Sequence, residues 1–355
     1  MPAPGSNLRQ LHTNDLELGA TEAVQQHINR HVVAARPVSQ RKLDFERARP
    51  RWLREMMAEA TGVFFYVFAG ISQVAAFTLN KENPAFGSIF NIGWSFAIGI
   101  AFAIITCAPT SGGHCRSQFR RHDFNPAITI CFAVWQGFPW KKVPYYIFAQ
   151  IFGAFIAGML MVGMYWPELH AFAEASKARG DGLVYNGGPA SVLCSFPNPD
   201  QNNLGYLFMT EFFVDSYIGI VIWAVLDPAN PFISPASAPF AIGLAYAAMV
   251  WGFADITIST NLARDLGTRI VAAIFYGGEA FSYKHYSWIA ILVNIPATLF
   301  ATGYYEFLMR DSLQKIAQGH AQHENGEEGL ALHLTKSGIP IERAATDTIE
   351  KVRTS

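Results

Sequence analysis

Asn261-Leu262-Ala263-Arg264-Asp265 decides how this chain is read, because Asn125-Pro126-Ala127 anticipates its opening triplet earlier in the sequence. Each triplet starts an apolar run shorter than the about 20 residues that a bilayer-spanning helix needs. These runs are Ile128 to Val134 after the first and Leu266 to Ile274 after the second. Asn is a favoured N-cap, since its side chain accepts from backbone N–H groups that the first helical turn leaves unpaired, and Pro suits the first helical position. Both triplets therefore read as starts of half-helices. If they enter a membrane from opposite faces, two positive dipole ends and two Asn amides converge near its middle, which favours neutral hydroxyl groups and repels cations.

Composition agrees with a membrane setting. Of 355 residues, 51% are hydrophobic and only 15% charged, away from the soluble average. A formal net charge of −1 argues against nucleic acid as a partner. Arg30, Arg36, Arg41, Lys42, Arg47, Arg49, Arg51 and Arg54 crowd the approach to the first apolar run, which places that terminus in the cytoplasm by the positive-inside rule. Cys107, Cys115, Cys131 and Cys194 are scattered, without the spacing of a disulfide framework or a metal site. Residues 1–50 are polar and mixed in charge, so the first span is expected to direct insertion itself.

Taken in order, residues 1–51 read as a disordered cytoplasmic tail, 52–310 as the membrane domain and 311–355 as a second disordered tail. The candidate spans are Ala58 to Leu79, Phe86 to Cys107, Val143 to Trp166, Leu204 to Leu226, Pro239 to Phe253 and Tyr286 to Leu308. Residues 167–203 read as a long outer loop rich in Gly, Pro and Asn. The expected fold is all-α: six transmembrane helices plus two re-entrant half-helices. The halves echo one another, Glu59 near the start of the first span matching Glu211 near the start of the fourth, and three spans per half invert the second repeat.

Ser111-Gly112-Gly113-His114, Asn125-Pro126-Ala127 and Asn261 through Arg269 resemble the signature loops of the major intrinsic protein family. The Asp after Arg264 makes the chain similar to the glycerol-facilitating branch, the aquaglyceroporins, and its divergent tails and sixth span suggest a fungal type. The resemblance implies a passive channel for glycerol and similar small neutral solutes and water. It further implies a homotetramer in membrane lipid, with both termini cytoplasmic and the plasma membrane as host. It implies no enzyme chemistry, no cofactor and no metal; the sequence offers no Ser/His/Asp, Cys/His or metal-spaced set either.

On this reading Asn125, Pro126, Ala127, Asn261, Leu262 and Ala263 form the central barrier. Two adjacent Asn amides force a permeating water to accept from both, which interrupts the chain along which protons would hop. An Arg one turn into a membrane half-helix is costly enough that it usually faces a wet path, and the fork of Arg264 could grip adjacent hydroxyls of a polyol. A plain pairing with Asp265 is the alternative. Alignment to the family puts Phe96 opposite Arg264, where an aromatic wall suits the C–H face of a polyol; Trp94 is its rival. Met249 or Val250, with Ile258, completes the expected constriction. Glu59, His114, Glu211 and Asp265 are expected to hold the loops, with a helix-end role the alternative for both Glu.

Two departures from the family pattern stand out. Leu262 occupies the position of the second Pro, a change that leaves the cap and dipole intact. Residues 115–123 interrupt what would otherwise read Ser-Gly-Gly-His-Phe-Asn-Pro-Ala, bringing three Arg and one Asp into a pore-lining segment. They could loop out, plug the vestibule, or be a translated remnant of a misplaced splice junction, the reading that closes the motif most cleanly. A competing function is a gated or non-conducting membrane scaffold closed by this insertion.

Overall fold

The computed structural model describes residues 37–81, 83–107, 110, 124–317, 319 and 321–337. The chain divides into two units, Met1–Pro50 and Arg51–Ser355. In the first, helix α1 (Gln40–Ala48) runs within the stretch expected to be a disordered tail. Ser39 caps it by accepting from Lys42 N, and the exposed pair Lys42–Glu46 lies one turn apart along it.

The second unit is helical throughout its regular structure, with no strand among the described residues. Its first repeat comprises α2 (Arg51–Leu79), α3 (Ile89–Cys107), the half-helix α4 (Pro126–Trp135) and α5 (Val143–Met164). A further helix, α6 (Trp166–Arg179), occupies the start of the segment expected to be an outer loop. Pro167 sits in its first turn, and Gly180 ends it in the left-handed conformation at φ 80°. The second repeat comprises α7 (Leu204–Val225), α8 (Ala238–Phe253), the half-helix α9 (Leu262–Tyr276), α10 (Ser287–Leu292) and α11 (Asn294–Tyr304).

Five of these segments are long and apolar enough to cross a membrane: Arg51–Leu79, Ile89–Cys107, Trp140–Met164, Leu204–Val225 and Ser287–Met309. The remaining expected span, α8, has 16 residues, or about 24 Å of helix against a hydrocarbon core of about 30 Å. The last span is broken between α10 and α11 because Pro296 has no N–H to give to the carbonyl one turn earlier, at Leu292. Glu59 and Glu211 lie about two turns inside α2 and α7 and are fully buried, so neither serves a helix end.

The packing follows the inverted repeat. α2 lies against α3 and α5, α7 against α8 and α11, and α3 meets α8 across the centre. Each half-helix packs on the last span of the other repeat, α4 on α11 and α9 on α5. These approaches are backbone-close: a Cβ at Gly153 of α5 would lie 2.1 Å from the Ala60 carbonyl oxygen of α2, and one at Gly243 of α8 would lie 2.3 Å from that of Ala97 on α3. Outward faces carry exposed Phe102, Ile105, Phe148, Phe152 and Phe213, an apolar exterior suited to lipid. Buried Glu55 is met at the start of α2 by Arg51 Nε at 3.0 Å and Lys142 Nζ at 2.7 Å.

Residues expected to form a disordered C-terminal tail include α12 (Ser312–Ala317) and α13 (Gly326–Lys336). α12 is docked: Lys315 Nζ donates to Asp227 in the turn after α7, which also accepts from Tyr305 Oη at 3.0 Å. Burial alone would raise the Asp227 carboxyl, but the Lys315 bond, the Ala229 N–H, the Lys315 charge and the Tyr305 hydroxyl outweigh it and hold the group below its ordinary value.

Gly153→Val is expected to lower stability in detergent by an overpacking cost of about 1–3 kcal/mol, read as a fall in the thermal unfolding midpoint. Because the Asp227 carboxyl is depressed, its contribution is complete above the unfolded value of about 3.9 and disappears as pH falls through the folded one. Protease sensitivity around α12 should therefore be flat from neutral pH to about 4 and rise only below it.

Candidate functional site

The two half-helix starts meet and cap one another. Asn125 Oδ1 accepts from Ala127 N at 3.0 Å and Asn261 Oδ1 from Arg264 N at 3.1 Å, as N-caps do. Their amides then cross between the loops: Asn125 Nδ2 donates to Thr260 O at 3.1 Å, and Asn261 Nδ2 to Phe124 O at 2.7 Å. The residue before each Asn has positive φ, 39° at Phe124 and 62° at Thr260. That rare conformation for non-glycine residues costs about 1–3 kcal/mol each, and both strained residues present the carbonyl that the opposite Asn binds. Asn125 Nδ2 also donates to Tyr246 Oη at 3.3 Å, so both of its amide hydrogens have protein acceptors. Pro126, Ala127, Leu262 and Ala263 are buried in the first turns behind the caps. Leu262 holds the first helical position of α9 without a proline.

On one side of this junction, beneath residues 180–203, lies a cavity of about 350 Å³ bordered by Phe96, Val250, Ile258 and Arg264. The Arg264 guanidinium carbon stands 5.7 Å from the centre of the Phe96 ring. Phe96 fits there because Gly70 leaves the space: a Cβ at that position would come within 2.0 Å of the ring. Trp94 instead is exposed on the outer face of α3. Val250, and not Met249, borders the cavity. It follows Tyr246 by one helical turn on the same face of α8, and Met249 is rotated away by about 100°. Beyond the junction lies a second cavity of about 30 Å³, bordered by Phe124, Asn261, Ile128 and Ile242.

Arg264 Nη1 donates to Ser195 Oγ at 2.7 Å and approaches Asp265 Oδ2 at 3.5 Å. The better geometry is to Ser195, so the guanidinium is anchored at one nitrogen while bordering the cavity. Asp265 accepts Ser195 N at 3.1 Å and pairs with Arg269 Nε at 2.6 Å. Arg269, fully buried, also donates to Ala280 O and Ser195 O, each at 2.6 Å, with its guanidinium 4.9 Å from the Phe196 ring centre. Ser195 completes the knot by donating its hydroxyl to Ile258 O at 2.5 Å. Burial pushes the neighbouring Cys194 thiol up to about 12, which keeps it protonated.

Glu211 accepts from Ser259 N at 2.6 Å, from Tyr286 Oη at 2.7 Å and, more weakly, from Thr260 N at 3.4 Å, so it holds the second re-entrant loop. Glu59 accepts from Gln150 Nε2 at 2.8 Å, and the same nitrogen donates to Thr129 of α4 at 3.1 Å. His114 and residues 115–123 lie outside the described residues.

The model of the family described as Major intrinsic protein matches residues 46–295. The chain belongs to the major intrinsic protein family. Among its relatives, Aquaporin-3 of Laccaria bicolor is 40% identical over 282 residues, covering 77% of this chain and 82% of the relative. Aquaglyceroporin-2 of Rhizophagus irregularis is 32% identical over 276 residues, with 77% and 82% covered. The X-ray structure of the aquaglyceroporin from Plasmodium falciparum shares the fold, with a TM-score of 0.60 at 24% identity over 73% of this chain and 97% of that one. The aquaporin fold thus accounts for the paired half-helices and the inverted repeat.

Sequence reasoning missed Ser195, Arg269, Tyr246 and Tyr286. Arg269 stood inside the quoted motif, and an arginine five residues after another in a membrane half-helix could have signalled a buried partner. A serine in a Pro-rich loop carries no such signal.

Asp265→Asn should leave Arg269 buried with no carboxylate. Removal of one partner of a buried pair costs about 3–5 kcal/mol, to be measured as lost thermal stability in detergent, whereas Asp255→Asn, at an exposed position on the cavity rim, should lie within about 0.5 kcal/mol of wild type.

Proposed function

We propose that this major intrinsic protein is a passive transmembrane channel for glycerol and related small uncharged solutes, together with water. The observation that carries the proposal is the head-to-head meeting of α4 and α9 beside a cavity that has Arg264 on one wall and Phe96 on the other. A polyol has a face of hydroxyls and a face of C–H groups. Arg264, held at Nη1 by Ser195, presents its remaining donors to the hydroxyls, and Phe96, Val250 and Ile258 receive the C–H face. The guanidinium charge repels cations, and two helix N-termini at the junction add a positive barrier to cations and hydronium.

Glu211, Asp265 and Glu59 act on this reading as loop supports, and Asn261 is the amide that offers a donor to the permeant. The orientation that follows has residues 180–203 outside and both termini in the cytoplasm. A homotetramer in the plasma membrane with a pore in each subunit completes the reading. The rival is a gated or non-conducting scaffold closed by the insertion at residues 115–123.

Stopped-flow light scattering of vesicles containing the full chain separates the two. Under a glycerol gradient the channel gives shrinkage followed by rapid recovery; traces identical to those of empty vesicles, with and without residues 115–123, would remove conduction. Arg264→Ala is expected to reduce glycerol permeability about tenfold, the loss of a charged hydrogen bond, and to admit a measurable cation leak.

A further inference from the structure

The loop-side and far-side cavities share two bordering residues, Tyr66 of α2 and Tyr246 of α8. One cavity holds about 350 Å³ and the other about 30 Å³, and the tyrosines stand where one would pass into the other. They are 4% and 8% exposed. Tyr246 Oη takes an N–H of Asn125 at 3.3 Å, so the donor that the central Asn would have offered a permeant is diverted to a phenol. Tyr66 Oη has no hydrogen-bond partner among the described residues. A buried hydroxyl left unsatisfied costs about 1–3 kcal/mol, and such a group needs an explanation.

The backbone holds both rings in place. A Cβ at Gly99 of α3 would lie 2.9 Å from Tyr66 Cα, and Gly243, one turn before Tyr246, sits against the Ala97 carbonyl of the same helix. α2 and α8 are thus both pressed onto α3, which fixes the backbones that carry the two rings.

We propose that Tyr66 and Tyr246 form a second, central selectivity filter at the level of the two Asn caps, and that the Tyr66 hydroxyl is completed by the permeant's own oxygen. The permeant class is a small neutral molecule carrying a hydroxyl, either water or one end of a linear polyol threaded lengthwise. Width is set by the two rings and hydrogen bonding by Tyr66 Oη, with the Tyr246 hydroxyl relaying the Asn125 donor. The inference rests on the channel reading but adds a separate determinant of its selectivity.

The test uses vesicles with the full chain, measuring water, glycerol and a linear four-carbon polyol by light scattering. Tyr66→Phe keeps the ring and the packing, so it isolates the hydroxyl; it is expected to lower glycerol permeability about fivefold, the factor carried by one hydrogen bond. Tyr66→Leu and Tyr246→Leu remove the ring and are expected to raise the ratio of glycerol to water permeability and to admit the four-carbon polyol. If the wild type conducts and all three variants keep its ratios within twofold, while Phe96→Leu changes them, the central filter is wrong and the channel reading stands. If the wild type is silent, the channel reading fails in this state. The filter is then supported if the double Leu variant, recovered monodisperse, gains conductance, and overturned if that variant stays silent.

Discussion

The structure depends on four backbone and amide groups at the junction of two half-helices. Asn125 binds the carbonyl of the residue before Asn261, and Asn261 binds the carbonyl of the residue before Asn125. Inside a membrane, each of these groups would otherwise be unsatisfied at a cost of several kcal/mol. The exchange lets two broken helices end in the interior without exposing orphan donors to lipid. It also gives the left-handed backbone at Phe124 and Thr260 a use: each presents its carbonyl to the opposite amide, and the ring of Phe124 has space because Gly62 lacks a side chain.

A second constraint is the burial of charge around α9. Asp265 and Arg269 lie in the membrane half-helix, where isolated charges are unfavourable, and each is surrounded by partners. Arg269 reaches one carboxylate and two carbonyls, and Asp265 receives both Arg269 and the Ser195 N–H. The consequence is mechanical as well as electrostatic. The segment around Ser195 is tied to the half-helix, and through Ser195 Oγ it fixes the guanidinium of Arg264 against the cavity. Arg264 therefore owes its position to a loop serine, while Asp265 serves mainly the other arginine.

The symmetry of the repeat is broken where the chemistry sits. Glu59 and Glu211 are matched in position and burial: Glu211 grips the backbone of the second loop, and Glu59 counts Gln150 among its partners. One Asn amide spends its second hydrogen on Tyr246, and the other borders the far-side cavity. Inverted repeats bring equivalent groups together; their differences set Arg264 beside the larger cavity and Tyr66 and Tyr246 at the border of both cavities.

Much of the fold was legible in the sequence by itself. Hydrophobic runs of span length, two shorter runs each opened by an Asn cap, and basic residues ahead of the first span are local patterns, and local patterns dictate helices, caps and insertion. Asn125, Asn261 and Arg264 were legible for the same reason, since an intramembrane amide or guanidinium stands out against an apolar background. What lay beyond the sequence was every contact between segments far apart in the chain: Ser195 under Arg264, Tyr286 on Glu211, Val250 in place of Met249, Lys315 on Asp227. Helices also formed in α1, α6 and α12, where polar composition pointed to tails and loops, because capping and docking are not visible in hydropathy. Propensity and amphipathic period act over a few residues, whereas the pore wall is assembled by helices packing backbone to backbone at Gly153 and Gly243, and that registration decides which face of each helix looks inward.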